Sequence, residues 1–256
     1  MIFDTHAHYD DEAFDEDREA LLGSMQAAGI QRIVNIGASM QSSAMTVSLT
    51  EQYEFLYGAV GVHPNEVGTM QEEDMEQLRK WSEREKIVAI GEIGLDYHYD
   101  EPSKAIQFRW FEAQMELARQ VKLPIVVHSR DAAKDTIDLM KACHAETIGG
   151  VVHCYSYTKE LARDFLNMNY YFGIGGVVTF PNAKKLKEAV EYIPLEKIVL
   201  ETDCPYLAPV PNRGKRNSSL NLPYVVEVLA EIKGVSKEEI MAVTFENGKR
   251  LYGMKE

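Results

Sequence analysis

The sequence predicts a single-domain α/β fold, a (β/α)8 barrel that takes in residues 1–256. Three observations predict it. Eight short apolar runs rich in β-branched residues recur along the chain, amphipathic helix-forming stretches separate most of them, and the length matches the roughly 250 residues that eight such units need. A doubly wound open sheet is the alternative built from the same units. No Gly/Ser/Pro-rich linker and no low-complexity segment divides the chain.

The first run is IFDTHAH, 2–8. Ile2 and Phe3 begin as a buried strand would; Asp4, His6 and His8 then fall at every second position, which puts them on one face. Two imidazoles and a carboxylate on a core face are costly unless something pairs them. A helix is expected over 12–28, with its exit at Gly29. The second and third runs, RIVNIGA (32–38) and FLYGAVGVH (55–63), have no helical stretch assigned between them. A helix over 72–84 leads to the fourth run, IVAIGEIGL (87–95). The clearest helix is 103–121, where Ile106, Trp110, Gln114 and Leu117 to Val121 follow helical spacing. Ala113 and Ala118 widen its apolar side, and Ser103 is its candidate N-cap. The remaining runs are PIVVHS (124–129), GGVVHC (149–154), YYFGIGG (170–176) and KIVLETD (197–203). Helices are expected over 132–143, 159–167, 183–191, 221–233 and 237–246, with exits at Gly149 and Gly234. The Pro-rich stretch 204–223 reads as the loop after the eighth strand.

The composition is that of an ordinary globular protein, 45% hydrophobic and 26% charged. Its formal charge of −13 argues against a wide non-specific nucleic-acid surface. It leaves open an enzyme that holds a phosphodiester locally through metal ions. Cys143, Cys154 and Cys204 are odd in number and lack CxxC spacing, and no basic segment followed by an apolar run marks the N-terminus. A cytoplasmic setting is expected, with no membrane span and no obligate protein partner.

In a barrel of this type the site lies where the strands finish. His6 and His8 close the first run, His63 the third, His128 the fifth, His153 the sixth and Asp203 the eighth, while Glu92 lies late in the fourth. Five of the seven histidines therefore converge on one rim, and independent core histidines would not repeatedly choose the same strand end. A metal centre explains the pattern. Imidazole and carboxylate together accept Zn, Mn, Co, Ni or Fe, and carboxylate also accepts Mg. Asp4 and Glu201 read as support groups, His98 and His144 as surface residues, and Glu12, Glu16 and the acidic cluster 72–76 as solvated helix faces.

The segments FDTHAH, GVHP, GEIGLDY, VVHSRDA, HCYS, ETDCPYLAP and RGKRN resemble, in order and spacing, the motifs of the TatD family of metal-dependent deoxyribonucleases, within the amidohydrolase-like (β/α)8 hydrolases. The resemblance runs from residue 3 to about Leu251. It implies two divalent ions, Mg, Mn or Zn: one held by His6, His8, Glu92 and Asp203, the other by Glu92, His128 and His153, with Glu92 bridging. It implies Asp203 as general base toward the attacking water and His63 as a contact to the scissile phosphate or leaving group. Tyr97, Arg130 and Tyr155 match positions that line the site. A guanidinium at Arg130 suits phosphate; a salt bridge to Asp131 or Asp135 is the alternative. The chain departs from the family pattern at Tyr157, where many relatives carry a small residue, and at Ser218–Ser219, where many carry Glu-Pro.

The implied substrate is DNA, single-stranded or entered at a strand end. Arg213, Lys215 and Arg216 in the last loop, and Lys184, Lys185 and Lys187 after the seventh run, are candidate phosphate contacts. Tyr97, Tyr155, Tyr157 and Tyr206 are candidate base-stacking surfaces. Two other functions fit the same residues: an amidohydrolase acting on a small amide, ester or aminoacyl-tRNA ester, and a metal-binding module without catalysis. The fourth run has no lysine after Ile87 to carry a bridging carboxylate, which favours the nuclease.

Overall fold

Eight parallel strands, each paired with its sequence neighbours in the order β1 to β8, form the frame of the computed structural model, which describes residues 1–254. They are β1 (Ile2–Ala7), β2 (Ile30–Ile36), β3 (Leu56–Val60), β4 (Ile87–Asp96), β5 (Ile125–Arg130), β6 (Gly150–Val152), β7 (Tyr171–Ile174) and β8 (Ile198–Leu200). The helices are α1 (Arg18–Ser24), α2 (Met40–Gln52), α3 (Glu72–Ser82), α4 (Lys104–Val121), α5 (Ala133–Ala142), α6 (Lys159–Asn167), α7 (Lys184–Tyr192), α8 (Leu222–Lys233) and α9 (Lys237–Leu251). The seam between β8 and β1 has no regular ladder. It is drawn together beyond β8, where the Thr202 and Asp203 amides donate to His6 O (3.2 and 3.0 Å) and the His8 amide donates to Cys204 O (2.8 Å). The predicted barrel is thus observed, and the bonds that complete it also bring Asp203 beside His6 and His8.

Two apolar layers hold the frame. Phe3, Val34, Ile36, Ala59, Ala89, Val126, Val151 and Val199, from seven of the strands, pack into one cluster inside the barrel. Leu251 and Tyr252, at the end of α9, join this cluster, and the Tyr252 hydroxyl donates to Thr5 O (2.8 Å). The larger cluster fills the space between strands and helices. Each buried Leu, Ile, Val or Phe in these layers contributes about 1.5–3 kcal/mol relative to exposure.

Several sequence expectations need correction. A helix, α2, occupies 40–52, where the sequence predicts none. Its inward positions include Ser43, Thr46 and Thr50, so the segment shows no apolar stripe. The expected helix over 12–28 is a 3-10 turn, Glu12–Phe14, followed by the short α1. In α4, Trp110, Gln114 and Leu117 are buried as predicted, but Ile106 is exposed and Gln107 takes the inward place. Both buried glutamines bind backbone at or just beyond a strand end: Gln107 accepts from the Asp96 amide (2.9 Å) and Gln114 from the Val62 amide (2.8 Å). Strands β3, β6, β7 and β8 stop short of the predicted runs. The residues beyond them turn toward the barrel mouth, and the His63 and His153 amides donate to Ala38 O (2.9 Å) and Val127 O (3.0 Å).

Candidate metal centre

The strand ends gather all seven predicted polar residues at one mouth of the barrel. His6 and His8 lie at the close of β1, with Nε2 atoms 3.1 Å apart. His6 Nε2 is 3.4 Å from Glu92 Oε2 and 3.6 Å from Asp203 Oδ1; His8 Nε2 is 3.7 and 3.3 Å from the same two oxygens. Four donors held about 2.0–2.1 Å from a tetrahedral cation would stand roughly 3.4 Å from one another, so these spacings fit an ion at their centre. The other oxygen of Glu92 faces a second group. Oε1 is 2.8 Å from His128 Nδ1, 2.8 Å from His153 Nε2 and 3.7 Å from His63 Nε2. His6, Glu92 and His153 are buried, whereas His63, His128 and Asp203 are partly open and form the entrance.

Local bonds fix what each imidazole can do. His8 Nδ1 donates to Ile36 O (2.9 Å), which leaves the Nε2 lone pair directed into the mouth, as a metal ligand requires. His63 is arranged the opposite way. Its Nδ1 accepts from the Asn65 amide (3.1 Å), so the neutral ring carries its proton on Nε2, facing the mouth as a donor. Burial, reinforced by nearby His128, pushes the His63 pKa down to about 3 and keeps that ring neutral. His128 Nε2 lies 3.1 Å from Asp96 Oδ2, so its Nδ1 is the atom available to the second group. Asp96 was not singled out in the sequence. It lies four residues after Glu92 on β4, on the same face by alternation, and that spacing within GEIGLDY was the signal.

Asp4 and Glu201 behave as support groups. Asp4 accepts from Thr202 Oγ1 (2.7 Å), Ser219 Oγ (2.6 Å) and the Thr202 amide (3.1 Å), tying β1 to the chain beyond β8. Ser219, half of the departure from the family pattern, therefore fills a buried hydrogen-bonding place. Tyr157, the other departure, donates to Ser129 O (2.9 Å) beside the mouth. His98 and His144 lie outside the cluster, near Asp131 and Glu146.

The proposed substrate contacts divide. Tyr155 is a core residue: its ring meets Phe165 and Phe172 edge-on, and its hydroxyl donates to Thr158 O (2.5 Å), so it offers no stacking face. Arg216 pairs with both oxygens of Asp17 (2.8 and 2.6 Å) and is not free for phosphate. Tyr97 donates to Asp135 (2.7 Å) and carries Lys104 over its ring, leaving its hydroxyl committed. Arg130 is exposed and, among the described residues, pairs with neither Asp131 nor Asp135. Arg213, Lys215, Lys184 and Lys185 are exposed, Lys187 is half-buried, and Tyr206 is 56% exposed three residues beyond Asp203.

Without a cation the cluster is held by histidine–carboxylate pairs. Burial alone would push the His8 pKa down, but the Asp203 carboxylate, with Glu92 and Asp10 behind it, lifts it to about 9. Burial is likewise outweighed at His153 by Glu92 and Glu201, and at His128 by Asp96 and Glu92. Burial would raise Glu92, yet His153, His128 and His6 hold it well below the usual carboxylate range. A cation needs deprotonated ligands, so its uptake near neutral pH releases protons. Calorimetry in buffers of different ionisation heat is expected to show net release, with apparent affinity rising toward pH 9. The metal-free protein runs the other way. Its His8–Asp203 pair contributes fully below the ordinary histidine value of about 6.5, and that contribution is lost as pH rises through about 9.

A family model described as TatD related DNase matches residues 3–253. An uncharacterized metal-dependent hydrolase of Bacillus subtilis, YabD, is 45% identical over 252 residues, covering 98% of this chain and 99% of its own. A second, YcfH of Escherichia coli K12, is 34% identical over 255 residues, covering 98% and 96%. Among solved structures, YjjV, a TatD homolog from Escherichia coli K12, superposes with a TM-score of 0.93 at 32% identity, covering 99% of this chain and 98% of that one. No helix among the described residues is long and apolar enough to cross a membrane.

Proposed function

The chain belongs to the TatD-related family of metal-dependent hydrolases, and on that premise we propose that it hydrolyses phosphodiester bonds of DNA, working from a strand end with two divalent ions. The observation that carries this reading is the orientation of Glu92. Its Oε2 faces His6 and His8 and its Oε1 faces His128 and His153, so a single carboxylate offers one oxygen to each of two donor groups. Two such ions supply Lewis-acid polarisation of a phosphoryl oxygen and activation of water near neutral pH. The protein residues have distinct tasks. His6, His8 and Asp203 would hold one ion and His128 and His153 the other, with Glu92 shared between them. Asp203, partly open at the entrance, takes the proton of the attacking water. His63 presents Nε2–H to the scissile phosphate or to the leaving oxygen. Exposed Arg130, Arg213 and Lys215, with the Lys184–Lys185 pair, would hold the phosphates that follow, and Tyr206 offers a face for a base.

The test uses purified protein with Mg2+, Mn2+ or Zn2+, offered end-labelled single-stranded DNA and a bis-aryl phosphate. Nucleotide release from one end, stopped by a chelator, is the expected result. DNA affinity should fall with salt, and Arg213→Ala with Lys215→Ala should flatten that dependence by roughly one unit of slope per removed phosphate contact. Turnover of the bis-aryl phosphate with intact DNA would move the assignment to small esters. No turnover of either, with ions bound, would leave the metal-binding module.

A further inference from the structure

We propose that Glu201 is a positioning residue shared by two metal-ligand histidines, one from each donor group; this rests on the metal-dependent reading above. His6 and His153 stack face to face, with ring centroids 4.0 Å apart and planes 14° from parallel. Both direct Nε2 at Glu92, His6 at 3.4 Å and His153 at 2.8 Å. Their Nδ1 atoms therefore point away from the mouth, and both are buried with no hydrogen-bond partner among the described residues. Glu201 lies on that far side. It is 1% exposed; Oε1 accepts from the Cys154 amide (2.6 Å) and stands 3.6 Å from His153 Nδ1, while Oε2 is buried with no partner. His6, His153 and Glu201 bring donor atoms within 4.8 Å of one another.

Three unpartnered buried polar atoms in one place call for a common solution. With Nε2 given to a cation, each neutral imidazole carries its proton on Nδ1. Two N–H donors then face a carboxylate with acceptor capacity to spare, directly or through one water. Glu201 would thus fix the tautomer and ring plane of a ligand in each group. N–H groups repel a cation, so this place is not a third metal site. The fold makes room for it: a Cβ added at Gly173 on β7 would lie 1.8 Å from Glu201 Oε2.

The test is a Mn2+ titration of wild type and Glu201→Gln by calorimetry, with circular dichroism to establish the fold. Glutamine keeps the shape and one acceptor but turns an N–H toward the second histidine. Both binding steps are expected to weaken by about 10–100-fold, the usual effect of losing such a partner. A folded Glu201→Gln that binds Mn2+ with wild-type affinity overturns the proposal. A second measurement needs no variant. Long-range 1H–15N correlation on the Zn2+-loaded wild type should show protonated Nδ1 on both His6 and His153, and protonated Nε2 on either overturns it. A wild type that binds ions and cleaves no DNA, yet loses affinity in Glu201→Gln, supports this inference and overturns only the substrate.

Discussion

Glu92→Ala is expected to weaken the loading of both ions and to lower DNA cleavage by at least about 1000-fold, since several kcal/mol of ion-derived stabilisation are lost at tenfold per 1.36 kcal/mol. Glu92 faces His6 and His8 with one carboxylate oxygen and His128 and His153 with the other. Removing it takes one donor from each group at once. The variant also leaves four imidazoles crowded around a hole. In the metal-free protein, His153 and His128 owe part of their raised basicity to Glu92, so losing it costs stability while those rings are charged. Breaking a buried pair of this kind costs about 3–5 kcal/mol. The deficit in melting temperature should be largest near pH 6 and shrink as the histidines lose their protons at higher pH. Metal content after dialysis, together with melting curves at two pH values, tests both parts. A variant that keeps two ions at wild-type affinity would remove Glu92 from the bridging place.

The barrel was legible because the strand rhythm is a property of local sequence: buried runs such as IVAIGEIGL stay apolar whatever surrounds them. The metal cluster was legible for a related reason. Histidines are conspicuous, and each follows an apolar run that ends at the same mouth, although β1 shifts register between Asp4 and Ala7 and His63 and His153 lie beyond the ends of β3 and β6. What failed to show was polar burial satisfied at a distance. Helix α2 packs Ser43 and Thr46 inward because Gly61 O and Asn35 wait for their hydroxyls, and no pattern within 40–52 carries that information. Gln107 displaced Ile106 from the buried face of α4 for the same reason: its partners are the backbone groups of Asp96 and Pro102. Arg216 looked available until Asp17, about two hundred residues away in sequence, arrived beside it. The family resemblance places Tyr155 at a site-lining position; its ring instead fills the core under α6. Charge and aromaticity thus locate a functional rim, while the partners that neutralise or bury them are decided by closure of the barrel.

Gly94→Ala should be the most damaging single methyl in the molecule. Gly94 lies on β4 at φ +152°, a backbone that side chains rarely adopt, and pairs with His128 across the β4–β5 seam. A Cβ there would stand 1.9 Å from the His128 carbonyl oxygen and 2.8 Å from its carbonyl carbon. Neither atom can rotate away, because both belong to a strand already hydrogen-bonded on two sides. The strands must part, and they part where Glu92 and His128 meet at 2.8 Å. Overpacking with a forced backbone shift costs about 1–3 kcal/mol, and the disallowed φ adds to it, so the total is expected above about 3 kcal/mol. Gly23→Ala is the matched control. Gly23 sits in α1 with nothing within 4 Å of its added Cβ and a helical backbone, so alanine should be neutral or stabilise by up to about 1 kcal/mol. Urea midpoints for the two variants separate strand geometry from the general effect of glycine replacement. If Gly94→Ala folds at all, titration should show the His128 group weakened more than the His6–His8 group, because only the former lies on the parted seam. Equal midpoints for the two variants would mean that the β4–β5 register does not constrain the site.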